Sequence, residues 1–208
     1  ERTSATGNAD YRLKLNVPLA SVDKSTVQGS VTLSGNDILM SENTPRLSGS
    51  RGVVGFTERG FSITGGQARM LGGDLRLEGG TTAARPSGVT TVLRAQGSVT
   101  ADGLRQAKEL GYSARLAQFA SGSTAYSAVL TFRGAVPELL VSSSLQGLGL
   151  NLPAPLNKSA EATLPLRFET ALLNGSASNG ASTPSGLQRM QLDIGRVGSL
   201  TYVRDVAL

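Results

Sequence analysis

The sequence predicts a mostly β protein built from consecutive antiparallel strands. Apolar and polar residues alternate with a period of two along almost the whole chain, as expected when successive side chains of a strand point to opposite faces. The 208 residues include 26 glycines and 8 prolines, a composition typical of many strands joined by turns. A helical pattern occurs near the middle of the chain. About a dozen strands and one or two short helices are therefore expected.

In the N-terminal half, alternation predicts strands at Tyr11–Val17, Val27–Leu33 and around Val53–Ile63, with a turn at residues 34–37. Gly-Gly pairs then recur every seven residues, at 65–66, 72–73 and 79–80. Glycine accepts positive φ without a steric penalty, so the pairs predict tight two-residue turns between very short strands. One pair could equally form a bulge inside a longer strand.

A helical insert is predicted at residues 102–120. Asp102 fits an N-cap, Leu104, Ala107 and Leu110 share one helix face, and Gly111 is a natural stop. A second short turn would present Leu116 and Phe119. We expect the insert to pack its apolar residues against the sheet.

Strands resume after the insert at Tyr126–Phe132 and Leu139–Val141, and the chain closes with strands at Met190–Ile194 and Leu200–Tyr202. Residues 174–186, with the sequence NGSASNGASTPSG, are of low complexity and are predicted to form a flexible loop.

The segment at residues 145–168, LQGLGLNLPAPLNKSAEATLPLRF, predicts two strands separated by a Pro-Ala-Pro turn. Strand parity sends a set of apolar side chains to one face, together with two residues of the preceding strand. This set consists of Leu130, Phe132, Leu148, Leu150, Leu152, Leu164, Leu166 and Phe168. Their odd-numbered neighbours Asn151 and Arg167 are expected to face water. The alternation fits a closed sandwich and an open groove equally.

Composition argues against catalysis. The chain has no histidine and no cysteine, which excludes Ser-His-Asp and Cys-His sites, the usual zinc sites and disulfides. The glycine pairs lack the Lys-Ser/Thr of a phosphate loop, and Glu161 and Glu169 are interpreted as salt-linked surface residues. We therefore expect no enzymatic activity, no catalytic residues, no cofactor and no metal site.

The charge distribution also bears on partners. The net charge of +5 suits an anionic partner. The basic residues are scattered singly, however, and no aromatic-rich strand offers a surface for base stacking, so nucleic-acid binding is not expected. No apolar run approaches the roughly 20 residues of a membrane-spanning helix.

Four motifs between Gly49 and Glu169 resemble the YhdP family of AsmA-like proteins, in the same order. They are RGxxGFT at 51–57, ARxLGG at 68–73, the segment 116–132 with SGST at 121–124, and LPAPLxK at 152–158 followed by LPLR at 164–167. The resemblance implies an elongated, bent antiparallel β-sheet half-pipe whose concave face is apolar. The whole of 1–208 would then be one fragment of a longer β-groove protein.

The resemblance also implies a function. Phospholipid acyl chains would lie in the groove against the eight apolar residues named above, and lipid would pass between the inner and outer membranes of a Gram-negative bacterium. The protein would be periplasmic, anchored in the inner membrane through a segment outside this chain. The main alternative is a structural or adhesive surface β-protein, either a solenoid or a closed sandwich, without lipid cargo.

Overall fold

The computed structural model describes residues 3–18, 25–42, 44–84, 88–133, 136–173 and 185–207. These residues form one antiparallel sheet of thirteen strands. In chain order the strands are β1 (Ser4–Thr6), β2 (Ala9–Asn16), β3 (Thr26–Leu39), β4 (Leu47–Thr57), β5 (Gly60–Met70), β6 (Gly73–Ala84), β7 (Gly88–Thr100), β8 (Ala120–Arg133), β9 (Val136–Ser143), β10 (Leu148–Leu150), β11 (Leu166–Leu173), β12 (Ser185–Ile194) and β13 (Gly198–Ala207).

The strands follow one another across the sheet almost in chain order. The path is β1-β3-β4-β5-β6-β7-β8-β9-β11-β12-β13, with β2 paired to β3 and β10 paired to β8. Ten strand spacings of roughly 4.8 Å give a sheet about 48 Å long. The predicted fold class, a mostly β antiparallel sheet with short helices near the middle, is confirmed.

The strands are longer than the glycine pairs suggested, and the prediction of very short strands was wrong. Only the second pair lies at a turn, between β5 and β6. Gly65, with φ of 60°, lies at a bulge where the register of β5 shifts against β6. Gly79 lies inside β6 with φ of 129°, and a Cβ there would stand 2.1 Å from the Val92 carbonyl oxygen. Close backbone approach, rather than turning, explains this glycine.

The predicted turn at residues 34–37 is also absent, because β3 continues through it with register shifts against β4. Asn36 is buried and donates from Nδ2 to the Thr6 carbonyl at 3.1 Å. Bulges of this kind bend a strand and increase its twist.

The helical insert lies between β7 and β8 and consists of four short pieces. These are α1 (Ala101–Gln106), a 3-10 turn (Lys108–Leu110), α2 (Tyr112–Leu116) and a second 3-10 turn (Ala117–Phe119). The N-cap is Thr100, whose Oγ1 accepts from the Gly103 amide at 3.0 Å, and not Asp102.

The insert packs through small residues. Ala101, Ala107 and Ala117 are buried, whereas Leu104 and Leu110 are half-buried and Phe119 is 44% exposed. Of the three alanines, Ala101 packs with Ala120 of β8 and Leu148 of β10, and so joins the insert to the sheet.

A single layer leaves little interior. Ala101, Ala120 and Leu148 form a small core with Leu145 and Leu150 packed against it, and no large side chain of the described residues is fully buried. The accessible surface is 13950 Å², whereas a compact monomer of this mass exposes about 9,100 Å². The described residues thus form an open sheet, and the closed sandwich considered from the sequence is wrong.

Candidate functional site

One face of the sheet is apolar from edge to edge. Cross-strand partners share a face, so the pairing register defines rows of neighbouring side chains. One row takes one residue from each strand except β1 and β10. It consists of Tyr11, Val31, Val54, Ile63, Gly79, Leu93, Leu130, Leu139, Thr170, Met190 and Tyr202. The next row includes Leu77, Ala95, Ala128, Val141, Phe168, Leu192 and Leu200. We call this surface the apolar face.

The opposite surface, the polar face, carries the charged side chains. One of its rows consists of Arg51, Gln67, Arg76, Gln96, Ser127, Ser142, Arg167, Asp193 and Ser199. Glu169 accepts there from Arg167 at 2.7 Å and from Arg189 at 3.3 Å. These partly exposed pairs add little stability, but they show which face of the sheet carries the charges.

The apolar face has no second layer over most of its area. Leu93, Leu130 and Phe168 in the middle of the sheet are only half-buried. At the edges, Tyr11 is 74% exposed and Leu200 is 65% exposed. An apolar surface this extensive is unusual on a monomer and indicates a binding surface.

The structure brings most of the predicted lining residues onto this face. Leu130 and Phe168 lie in the two rows described above, Leu166 follows Phe168 by two residues on β11, and Phe132 follows Leu130 by two on β8. Leu148 and Leu150 pair with Gly122 and Ala120 of β8. Leu152 and Leu164 lie outside the strands and are half-buried.

Leu148 differs from the others because it is covered. It is 5% exposed and belongs to the small core under the insert. The insert and β10 thus close the apolar face along one long side, where β7 ends and β8 begins. We call this side the helical rim, and the opposite side, which carries the β4–β5 turn at residues 58–59, the open rim.

The sequence did not reveal the role of Lys158, which hydrogen-bonds to backbone carbonyls at the helical rim. Its ammonium donates to the carbonyls of Leu145 at 2.9 Å, Ser159 at 2.9 Å and Leu148, and the residue is 9% exposed. Burial lowers the pKa of Lys158 below its ordinary value, and the Glu161 carboxylate opposes this. Because three carbonyls take up the ammonium donors, Lys158 holds the loop after β10 in place and is not a free nucleophile.

A few polar groups interrupt the apolar face. The Tyr126 hydroxyl is buried without a hydrogen-bond partner among the described residues, and burial raises the pKa of Tyr126. Near the open rim the hydroxyls of Thr81 and Thr91 lie 3.0 Å apart. Farther along this side, Arg204 on β13 pairs in register with Gln188 on β12.

The family assignment agrees with this geometry. The model of the YhdP protein family matches residues 1–203. The chain belongs to the YhdP family. The match extends the resemblance seen between Gly49 and Glu169 over nearly the whole chain. Searches of curated proteins and of solved structures gave no match.

Two further observations on this YhdP-family chain concern metal ligands and helices. In the described ranges, no three His, Cys, Asp or Glu residues come close enough together to hold a metal ion. The helices of the insert are too short to cross a membrane, and no other described segment is helical. Its candidate site is the extended apolar surface between the two rims.

Proposed function

We propose that this chain is a section of a lipid conduit in which phospholipid acyl chains lie along the apolar face. The conduit is periplasmic, belongs to a protein anchored in the inner membrane, carries lipid between the inner and outer membranes, and performs no catalysis. Membership of the YhdP family suggests AsmA-like lipid transport, and the open sheet is compatible with it.

The observation that carries the proposal is the uncovered apolar surface. At the centre of the sheet Leu93, Leu130 and Phe168 are only half-buried, and one apolar row takes a residue from each of eleven strands. The hydrophobic effect is non-directional, so such a surface accepts an acyl chain at any position along it. Burying each methylene of that chain contributes roughly 0.8 kcal/mol.

The two rims give the bound lipid an orientation. The insert and the Lys158 loop cover the apolar face at the helical rim. The opposite strand ends leave the face open to solvent near Phe56 and Phe61. We expect acyl chains to lie against the rows and headgroups to remain in water at the open rim.

Photo-crosslinking at matched neighbouring positions tests the proposal. Leu93 and Leu166 lie on the apolar face, whereas the next residues, Arg94 and Arg167, lie on the polar face. A photoreactive residue at 93 or 166 should capture phospholipid in cells, and one at 94 or 167 should not. Capture would be read by mass spectrometry after organic extraction.

Equal capture at both members of each pair, or capture at neither, would contradict the proposal. The uncrosslinked protein provides the second measurement, because native mass spectrometry should detect phospholipid that co-purifies with it. A protein without lipid in both experiments would favour a structural surface β-protein.

A further inference from the structure

Arg204 is the exception to the charge pattern of the sheet. Outside the bulged part of β3, every other charged strand residue whose side chain is described lies on the polar face. Arg204 alternates with Leu200 and Tyr202 on β13 and therefore shares the apolar face with them. Arg204 therefore places an exposed cation on an otherwise uncharged apolar surface, where it can meet an anionic group of a molecule bound there.

The guanidinium is oriented by a buried side chain. Gln188 is 5% exposed, and its Oε1 accepts from Arg204 Nε at 3.0 Å and from Nη2 at 2.8 Å. A guanidinium has five N–H donors, so three have no partner among the described residues. Arg204 itself is exposed and forms no ion pair with any described carboxylate.

The surroundings match the boundary between an apolar chain and a polar headgroup. Tyr202, the neighbour of Arg204 on the same face, is 58% exposed, and tyrosine favours positions with one apolar side and one wet side. Met190 and Leu192 continue the apolar surface toward the helical rim. Arg204 lies toward the open rim, at the end of β12 and β13 away from their connecting turn.

We infer that Arg204, positioned by Gln188, binds the phosphate of a phospholipid headgroup whose acyl chains lie on the apolar face. This inference rests on the proposed function and adds a headgroup site to it. Arginine forms strong charge-assisted hydrogen bonds with phosphate oxygens. The site therefore distinguishes a phospholipid from a neutral lipid with the same acyl chains.

A competition between two lipids tests the site. The purified 208-residue chain would be mixed with octyl glucoside micelles holding equal amounts of phosphatidylglycerol and diacylglycerol with matched acyl chains. Native mass spectrometry then gives the ratio of the two bound lipids. We expect phosphatidylglycerol to be preferred, and Arg204→Gln to reduce the preference about tenfold, as for loss of a charge-assisted contact.

Two variants and one competitor complete the experiment. Arg204→Lys should keep part of the preference because it keeps the charge, and Arg94→Gln on the polar face should keep all of it. Excess sn-glycerol 3-phosphate should not displace the lipid, since it lacks acyl chains. Circular dichroism would verify that each variant is folded.

The outcomes separate the two proposals. If the native chain binds both lipids but Arg204→Gln leaves their ratio unchanged, the headgroup site is wrong and the conduit stands. If sn-glycerol 3-phosphate displaces the lipid, Arg204 is a site for free phosphate. If the native chain binds neither lipid, the conduit and the headgroup site both fail.

Discussion

Lys158→Met is the sharpest test of how the helical rim is held. Methionine keeps most of the apolar length of lysine, so the change removes the ammonium with little loss of volume. Three hydrogen bonds, to the carbonyls of Leu145, Leu148 and Ser159, are lost together. The variant should therefore loosen the loop that follows β10.

The expected magnitude follows from the number and type of these bonds. A hydrogen bond to a charged group contributes about 1.5–3 kcal/mol. Releasing a buried ammonium from its desolvation cost offsets part of the total. A net loss of about 3 kcal/mol remains, which in a chain of this size lowers the thermal midpoint by about 6–12 °C.

Calorimetry and hydrogen exchange would measure the effect. The amides of Leu150 and Gly147, which bond to the carbonyls of Lys158 and Ala160, should lose protection in Lys158→Met. Lys108→Met, at an exposed lysine of the insert, should change stability by less than about 0.5 kcal/mol. An unchanged midpoint together with unchanged protection of both amides would refute the role given to Lys158.

Two further predictions concern packing and backbone. In denaturant titrations, Leu148→Ala should lower the free energy of unfolding by about 2–3 kcal/mol because it opens a cavity under the insert. The control Leu200→Ala, at a residue 65% exposed, should lower it by less than about 0.5 kcal/mol. Equal losses for the two variants would contradict the position of the core. Gly79→Ala and Gly35→Ala impose similar strain, with φ of 129° and 128°, but only at Gly79 does the new Cβ meet a carbonyl, at 2.1 Å. Gly79→Ala should therefore be the more destabilising by at least about 1 kcal/mol in the same titrations, and equal effects would show that the strands separate freely there.

The sequence predicts the faces of the strands well because parity is a local property. Alternation at Leu130 and Phe132, and at Leu166 and Phe168, places all four on the apolar face, and the register agrees. The same alternation could not say whether a second sheet covers that face. Whether a second sheet covers the apolar face depends on how distant strands pack against each other, and the spacing of residues along one strand does not determine that.

The errors have specific physical causes. Glycine with positive φ serves turns, bulges and close backbone contacts alike, so the pairs at Gly65 and Gly79 were mistaken for turns. The N-cap is Thr100 rather than Asp102 because the helix begins at Ala101, two residues earlier than expected. The predicted loop at 174–186 lies outside the described residues except for Ser185 and Gly186, which begin β12.

Arg204 and Lys158 differ in how far their positions can be predicted from the sequence. Arg204 follows Leu200 and Tyr202 at a spacing of two residues, so strand parity alone predicts its place on the apolar face. The contacts of Lys158 depend on a loop that folds back to within hydrogen-bonding distance of β10. No pattern of residue types predicts that closure.

The open sheet has a thermodynamic consequence for the empty and loaded forms. Unfolding the empty chain exposes less new apolar surface than unfolding a closed domain does, so its heat-capacity change should be small and its stability should vary gently with temperature. A lipid bound only by the folded form supplies the missing apolar contact and adds stability that grows with the logarithm of lipid concentration. Bound lipid would then act as an exchangeable second layer of the hydrophobic core, and the free energy of unfolding would rise with the amount of lipid bound.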